Sequence, residues 1–523
     1  GSGRRTFLGY PHQPTGGMGE ADQDPNHYPR WFSGRSLIRR RRRPRSWLTR
    51  AVFLTVALRC RPAMSRHASF TPSLAPRPRF RPSRLHASAD VMPAASLTHI
   101  ESVGLPSDAP SYPFFAFDIV HESTDGSDAC CGVLRTPHGD VETPNFVFCG
   151  TKASVKGLTP EQLREAGTQI VLSNTYHLLV WPGSELVEDM GGLQEFTGFR
   201  GPMLTDSGGY QIFSMGHGSV SSEIKGQRTL PDEMRSLIDI SEEGATFRSY
   251  WDGSVKTLTP ESSILVQKQL GADIILVLDE CTPFNVEKSY TESSMRRSHR
   301  WGLRSLQEFS RLDCQQRQAL YGIVQGGTCP SLRDESTHFV NTTPFFGSAI
   351  GGSLGADRAT MHSVVALTAK SLRRDRPIHL LGIGGVRDIF HGVRHGIDTF
   401  DCVHPTRLGR HGGALVRRDF WDTDGSGGGS RSDKVKEHIN LKKSPFKRDS
   451  RPIDASCGCY TCRNFSRAYL HHLLKAGEQL GGTLVSLHNV FFMNRLMRDI
   501  RSAIRSGTLD EERSKWVHPA LDA

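Results

Sequence analysis

The chain has 523 residues, 37% of them hydrophobic, which supplies a large core and exceeds one ordinary domain, although a single α/β barrel with insertions reaches this length. It contains no run of about 18 apolar residues of the kind that spans a membrane as a helix. The net charge of +11 does not belong to the body of the protein, because eighteen arginines, no lysine and three acids give residues 1–89 a charge of +15 and leave −4 for the remainder.

Residues 1–110 read as a disordered leader. From Pro25 to Ala89 there is no acidic residue, while Arg, Ser, Pro and Ala abound, as in the transit peptides of mitochondria or plastids. The arginine run Arg39–Arg43 precedes a short apolar stretch, Ala51–Leu58, which resembles the apolar region of a signal peptide and makes the leader bipartite. The competing reading is a disordered tail or translated upstream sequence with Met64 as the start. The expected location is an organelle, and the cytoplasm if the leader does not target.

Residues 111–523 change character, with short apolar runs alternating with amphipathic stretches. The strand-like runs include Ile170–Leu172, Met203–Leu204, Ile274–Leu278, Leu320–Val324, Ser348–Ile350, Ile378–Leu381 and Thr399–Phe400. Helix-like segments such as Pro260–Leu270 and Tyr290–Phe309 lie between them. Repeated β-then-α order predicts parallel strands with crossover helices. Six runs are followed by polar or glycine-rich clusters: Asp206-Ser207-Gly208-Gly209, Asp279-Glu280-Cys281, Gln325-Gly326-Gly327, Gly351-Gly352, Gly382-Ile383-Gly384-Gly385 and Asp401. Any one of these is explained as a βα turn that needs glycine and a helix cap. Six together fit one shared mouth at the C-terminal ends of a closed (β/α)8 barrel.

Beyond Asp401, a glycine- and serine-rich insertion at 424–432 precedes seven basic residues between Lys434 and Arg451, among them Lys442 and Lys443. This run is a candidate phosphate contact, set against the commoner role of a solvated face. The eleven cysteines are scattered except for Cys457, Cys459 and Cys462, which argues for reduced thiols and a metal site over a disulfide framework. Three thiolates on one turn need one imidazole to complete a tetrahedral structural zinc set, and His471, His472 and His488 compete for that place. The segment Ala468–His488 reads as helical. A redox Cys-x-x-Cys pair is the alternative. The zinc subdomain is expected at about 434–500.

Asp206 and Asp401 are the candidates for paired carboxylate chemistry: one attacks a sugar anomeric carbon and the other moves the proton, as in retaining glycosidases. Asp279, Gln325, Gly351 and Gly352 offer a carboxylate, an amide and backbone N–H groups that can read a purine edge, while Tyr210 stacks on its face. An enzyme acting on a base within RNA takes it out of the stack into such a pocket.

From about Ala129 to about Ile504 the chain resembles the tRNA-guanine transglycosylase family. The stretches that carry the resemblance include Leu172-Ser-Asn-Thr-Tyr-His-Leu, Leu204-Thr-Asp-Ser-Gly-Gly-Tyr-Gln-Ile-Phe-Ser and Leu278-Asp-Glu-Cys-Thr-Pro. Others are Gly322-Ile-Val-Gln-Gly-Gly, Phe400-Asp-Cys-Val-His-Pro-Thr-Arg, Cys459-Tyr-Thr-Cys-Arg-Asn and Leu487-His-Asn. The resemblance implies a (β/α)8 barrel with a zinc-bearing subdomain, and a pentosyltransferase that exchanges the wobble guanine of tRNAs with GUN anticodons (Asp, Asn, His, Tyr) for queuine or its precursor preQ1. It implies Asp401 as nucleophile, Asp206 as general acid/base, and Ser207, Tyr210, Asp279, Cys281, Gln325, Gly351 and Gly352 around the base. Arg407 and Arg410 are then placed to hold phosphates. Cys457, Cys459, Cys462 and His488 match the ligands of one structural Zn2+, which selects His488, and no organic cofactor is implied.

Related enzymes act as dimers, as homodimers or with a non-catalytic paralogue. The chain departs from the family at Ser353, where leucine is usual, at Leu381, in place of a methionine, and at Gly355, where enzymes using preQ1 carry valine; a glycine there is expected to open room for queuine. The alternatives are a preQ1-specific enzyme of bacterial type and a non-catalytic tRNA-binding partner, the latter expected to lack one of the two aspartates.

Overall fold

The computed structural model describes residues 110–217, 236–423 and 435–522. The leader before Pro110, the insertion at 424–432 and Lys434 lie outside the described residues. In chain order the strands are β1 (Ala116–Glu122), β2 (Cys130–Thr136), β3 (Gly139–Thr143), β4 (Asn145–Cys149), β5 (Val171–Ser173), β6 (Met203–Thr205), β7 (Leu237–Ile240) and β8 (Ala245–Arg248). They continue with β9 (Val255–Leu258), β10 (Ile274–Leu276), β11 (Ala319–Val324), β12 (Gly347–Ile350), β13 (Ile378–Leu380), β14 (Thr399–Cys402), β15 (Gly413–Leu415) and β16 (His438–Asn440). Strands β4, β5, β6, β10, β11, β12, β13 and β14 form a closed barrel of eight parallel strands in which β14 pairs back onto β4.

Parallel neighbours need a crossover between them, and helices supply it on the outside. Both faces of each barrel strand are then covered, so a strand such as Ala319–Val324 is buried at every position and reads as an unbroken apolar run. The crossover helices start where the sequence caps them. Thr159 and Thr259 each form a capping box with the residue three further on, followed by proline at the first helical position. From the helix Pro260–Leu270, Gln267 reaches into the barrel wall, where its amide bonds both the N–H and the C=O of Leu276.

Two three-stranded antiparallel sheets, β1–β3 and β7–β9, and an antiparallel pair, β15–β16, accompany the barrel and do not figure in the sequence expectation. The β7–β9 sheet is inserted between β6 and β10 and is tied down by the helix Lys288–Arg311. Glu242 accepts from Arg297 and Arg300, and its carbonyl accepts from the Trp301 indole. The segment read as one helix over Ala468–His488 is two: Arg467–Ala476 ends at Gly477 in a left-handed conformation (φ +79°), and a second helix, Gln479–Ser506, carries His488. This long helix joins two cores. Leu484 and Val485 face a small core with Ala414, Ile439, Phe446 and the three cysteines, while Val490, Met493, Leu496 and Ile500 face the barrel core. The small core thus begins at β15, upstream of the boundary near 434 expected from the cysteines. No helix among the described residues is long and apolar enough to cross a membrane.

At the N-terminal ends of the strands, fully buried Asp273 precedes β10 and accepts from His138 Nδ1 (2.7 Å), Gln194 Nε2 (3.1 Å) and the Met203 N–H (2.8 Å). The hydrogen bond to Asp273 raises the His138 pKa above its ordinary value. A raised folded-state pKa stabilises below the unfolded value of about 6.5 and is lost as pH rises through the folded value. The difference in thermal midpoint between wild type and His138→Gln is therefore expected to be largest below about pH 6.5 and to shrink above it. A difference independent of pH between 5.5 and 8.5 would show that the pair carries no such linkage.

Candidate active site

The barrel brings the predicted carboxylates to one rim. Asp206 follows β6 directly, and Asp401 sits inside the last turn of β14, within the strand and not beyond it. Asp401 is only 9% exposed. Its Oδ1 accepts from the Gly382 N–H (2.9 Å) and lies 3.2 Å from His379 Nε2, while among the described residues Oδ2 has only the Cys149 thiol at 3.5 Å. His379 is fully buried and its Nδ1 lies 2.9 Å from Thr399 Oγ1, which fits a proton on Nε2. One carboxylate oxygen is thus pinned and the other remains available.

Asp206 is differently placed. Its Oδ1 accepts from the Thr175 N–H (2.9 Å), and its Oδ2 from Gln211 Nε2 (2.7 Å) and from the Asn174 amide. Burial nevertheless outweighs these donors, and with the nearby charge of Asp401 it lifts the Asp206 pKa to about 6. A carboxyl group with that value exchanges a proton readily near neutral pH.

Beside this pair lies a polar floor. Asp279 accepts from Gln325 Nε2 (2.5 Å), Ser207 Oγ (3.3 Å) and Cys281 Sγ (3.5 Å), and burial raises its pKa. The adjacent Glu280 turns the other way, to Arg297 and the Tyr290 hydroxyl, so only Asp279 serves the mouth. Glycines permit the close packing: a Cβ on Gly352 would stand 2.3 Å from Gln325 Oε1, and one on Gly209 would stand 2.3 Å from the Asp279 carbonyl. Tyr210 lies beside them, 46% exposed, with its hydroxyl pKa raised by burial and by Cys281, Cys402 and Asp401 nearby. Gly351 borders Leu381, whose Cδ1 would meet a Cβ there at 3.3 Å. Gly355 has φ +115°, and a Cβ on it would meet Thr360 Cγ2 at 2.6 Å, so the path of the loop itself calls for glycine.

Several residues that build this site were not singled out in the sequence. Asn174, Thr175 and Gln211 hold Asp206, and His379 holds Asp401 together with the N–H of Gly382, which belongs to a glycine cluster already marked at a strand end. Arg333, 1% exposed, donates to the carbonyls of Val324, Gly327, Gly351 and Ser353 and so laces together the loops after β11 and β12. Asn174 lies within one of the long motifs, so a signal for it existed; Arg333 carried none.

The predicted phosphate contacts form a separate group. Arg407 is exposed and Arg410 half-buried on the helix His404–Arg410, and among the described residues neither pairs with a carboxylate. Burial and the neighbouring charge of Arg407 lower the Arg410 pKa. Lys442 and Lys443 are exposed, and the Lys442 stem lies against Gly412, two residues past that helix. Arg451 is engaged by Asp449.

The three cysteines and His488 converge. His488 Nδ1 lies 3.7, 3.6 and 3.3 Å from the sulfurs of Cys457, Cys459 and Cys462, and all four residues are buried. A tetrahedral ion with ordinary metal–sulfur and metal–nitrogen distances has edges of roughly 3.5 Å, so the four donors fit a metal ion. His488 Nε2 lies 2.9 Å from the Leu415 carbonyl, which turns Nδ1 toward the sulfurs. Of the competing histidines, His471 bonds the Leu441 carbonyl and His472 is exposed.

Comparison with known proteins agrees with this geometry. A family model described as queuine tRNA-ribosyltransferase matches residues 125–520. The queuine tRNA-ribosyltransferase of Roseiflexus sp. is 45% identical over 412 residues, covering 77% of this chain and 99% of the relative. That of Synechococcus elongatus is 42% identical over 407 residues, covering 78% and 95%. The Thermus thermophilus protein is 45% identical over 377 residues, covering 72% and 87%. An eight-stranded barrel with two acids at its mouth and a Cys3His cluster at its side is accordingly what this sequence builds, and the chain belongs to the queuine tRNA-ribosyltransferase family.

Proposed function

We propose that the chain is a tRNA-guanine transglycosylase that replaces the wobble guanine of GUN-anticodon tRNAs with queuine or preQ1 through a covalent Asp401–ribosyl intermediate. The observation that carries this is the asymmetry of the two acids: Asp401 has one pinned and one available oxygen, and Asp206 has a pKa near 6. Asp401 Oδ2 attacks the ribose C1′, the C1′–N9 bond breaks, and its electron pair goes to the guanine, which takes a proton from Asp206. The incoming base returns a proton to Asp206 as its N9 bonds C1′, and Asp401 leaves as the carboxylate. Two displacements give net retention.

Base recognition follows from donor and acceptor matching. The Asp279 carboxylate accepts from the N1–H and 2-amino group of the guanine edge, and the Gln325 amide and the backbone at Gly351–Gly352 face its O6. Ser207 and Cys281 hold Asp279 in place, and the open ring of Tyr210 stacks on the base. Arg407 and Arg410, with Lys442 and Lys443, take the phosphates beside the target nucleotide. The enzyme acts as a dimer, since a tRNA spans more surface than one barrel offers; an active species that sediments as a monomer would remove that part.

In the primary test, the tRNA carries labelled guanine at the wobble position and either queuine or preQ1 is supplied. Release of label with queuine is expected, and Asp401→Asn should slow it by more than about a thousandfold. No release with either base would overturn the assignment, and release with preQ1 alone would restrict it to the precursor. The proton role of Asp206 gives a second expectation. Single-turnover guanine release should be fastest when Asp206 is protonated, below about pH 6, and should fall as pH rises through that value. Asp206→Asn should be slow and lack this limb; an unchanged limb in the variant would assign the proton to another group.

The Cys457, Cys459, Cys462 and His488 set supports zinc, because three soft thiolates and one imidazole suit a tetrahedral d10 ion. With four protein ligands the ion would be structural and hold the small core together. Elemental analysis should find one zinc per chain in wild type and in Asp401→Asn, and less than about a tenth of that in Cys459→Ser, with a lowered thermal midpoint. Full zinc content in Cys459→Ser would refute the ligand set.

A further inference from the structure

At the same end of the barrel as Asp206, but apart from the residues already discussed, the described surface carries an aromatic cluster that packing does not explain. Trp181 and Trp251 are 50% and 54% exposed, yet their rings stack on each other at 4.5 Å with 22° between planes. Tyr250, 42% exposed, stands beside them; its hydroxyl lies 3.1 Å from His177 Nδ1, and the Lys152 ammonium sits over its ring at 4.9 Å. His177 is held neutral, its pKa lowered to about 4 by burial and by Lys152 and Lys156. Asp252, next to Trp251, turns its carboxylate back into its own loop, where it accepts from Ser254 N and Oγ at 3.1 and 2.8 Å. The patch is therefore π-rich, with the Lys152 ammonium at one edge and the exposed, ionised Asp252 carboxylate at another.

Its position follows from the topology. Lys152 lies beyond the C-terminal end of β4, His177 is in the short helix that leaves β5 and Trp181 caps its end, and Tyr250 and Trp251 sit in the loop between β8 and β9 of the sheet inserted after β6. The three strands are neighbours, and Asp206 follows β6 directly. The residues before and at the start of the helix Thr175–Val180, Asn174 and Thr175, hold Asp206; Trp181 is at its end, about 9 Å away along the axis. A flat aromatic surface with an adjacent ammonium, one helix length from a pocket that receives an extruded base, has the composition of single-stranded nucleic-acid sites. There, unpaired bases stack on aromatic rings and cations meet the phosphates.

We infer that Trp181, Trp251 and Tyr250, with Lys152, form a stacking platform for an unpaired nucleobase of the substrate RNA, one that neighbours the target nucleotide in the same loop. The inference rests on the tRNA reading above. The platform binds loop nucleotides by stacking, so it adds affinity for a looped RNA and none for the free base that is exchanged.

The test uses the full chain and its Trp181→Ala/Trp251→Ala variant, both checked for equal thermal midpoint. An RNA hairpin with a GUN loop is expected to quench the tryptophan fluorescence of the wild type, and a fully paired duplex of the same stem is not. In base exchange, the double alanine variant should raise the KM for tRNA at least tenfold and leave the KM for queuine within twofold. Trp181→Phe/Trp251→Phe should restore most of the loss. An unchanged KM for tRNA in the alanine variant, while the wild type exchanges base, would overturn the platform and leave the enzyme assignment standing. Equal quenching by hairpin and duplex, or a variant whose oligomer dissociates in sedimentation, would also overturn it, the latter in favour of a subunit contact. Quenching by the hairpin in a wild type that exchanges no base, abolished in the variant, would support the platform and refute the enzyme assignment.

Discussion

Two carboxylates kept out of water within reach of each other's charge repel, and each must be given donors or a proton if it is to stay there. Asp401 receives donors on one oxygen, from a backbone N–H and a buried histidine. Asp206 receives three donors and still has its pKa raised to about 6. The same environment that makes the pair costly separates their roles, because one acid is stabilised as an anion on one side only and the other is poised to take a proton. Much of the local architecture serves this division. Asn174 and Thr175 stand at the head of the helix after β5, Gly382 opens the loop after β13, and His379 rises from inside β13. Four neighbouring connections converge because the sheet is closed; in an open sheet β14 and β4 would lie at opposite edges.

The sequence made the plan of the barrel legible because parallel strands buried on both faces leave unbroken apolar runs, each followed by the polar cluster that its strand end presents. The run of β4, Asn145–Cys149, is buried throughout, yet only Pro144 separates it from the hairpin strand β3, so it did not stand out as a barrel strand. Strands β1 and β7 have partly exposed, irregular burial and no apolar signature of their own, which is why both three-stranded antiparallel sheets went unread. The continuous helix expected over Ala468–His488 failed at one residue, Gly477, whose left-handed conformation ends a helix and lets the chain restart along a new axis. In the site, residues that bear charge at strand ends were visible, whereas the buried His379 and Arg333, which orient the site from behind, were not. His379 lies between apolar neighbours as any satisfied core histidine would, and Arg333 occupies a helix position indistinguishable in sequence from a solvated one, although it is buried against four carbonyls.

Arg333 illustrates how polar floors are kept rigid without acids. A guanidinium so buried that its pKa falls to about 9 is tolerated because four backbone oxygens from two loops converge on it. Those loops carry Gln325 and Gly351–Gly352, and the glycines permit a spacing at which no Cβ would fit against the Gln325 amide. This polar edge of the mouth is thus set by backbone geometry as much as by side chains, and a larger residue at Gly352 would meet the Gln325 amide first.

The Cys3His cluster is remote from the chemistry in sequence but not in mechanical terms. His488 lies on Gln479–Ser506, and the same stretch of that helix grips the segment that follows Asp401: Ser486 Oγ donates to the Thr406 carbonyl, and Asn489 donates to those of Pro405 and Gly413. Gly409 packs so closely on Ser486 that a Cβ there would stand 2.7 Å from its Cα. The helix His404–Arg410, which starts three residues after Asp401 and presents Arg407 and Arg410, is therefore seated on the helix that the cluster orients. Fixing His488 fixes the direction in which those two guanidiniums point relative to Asp401. The cluster can in this way govern, through one helix, how the segment that follows Asp401 is seated beside the barrel mouth.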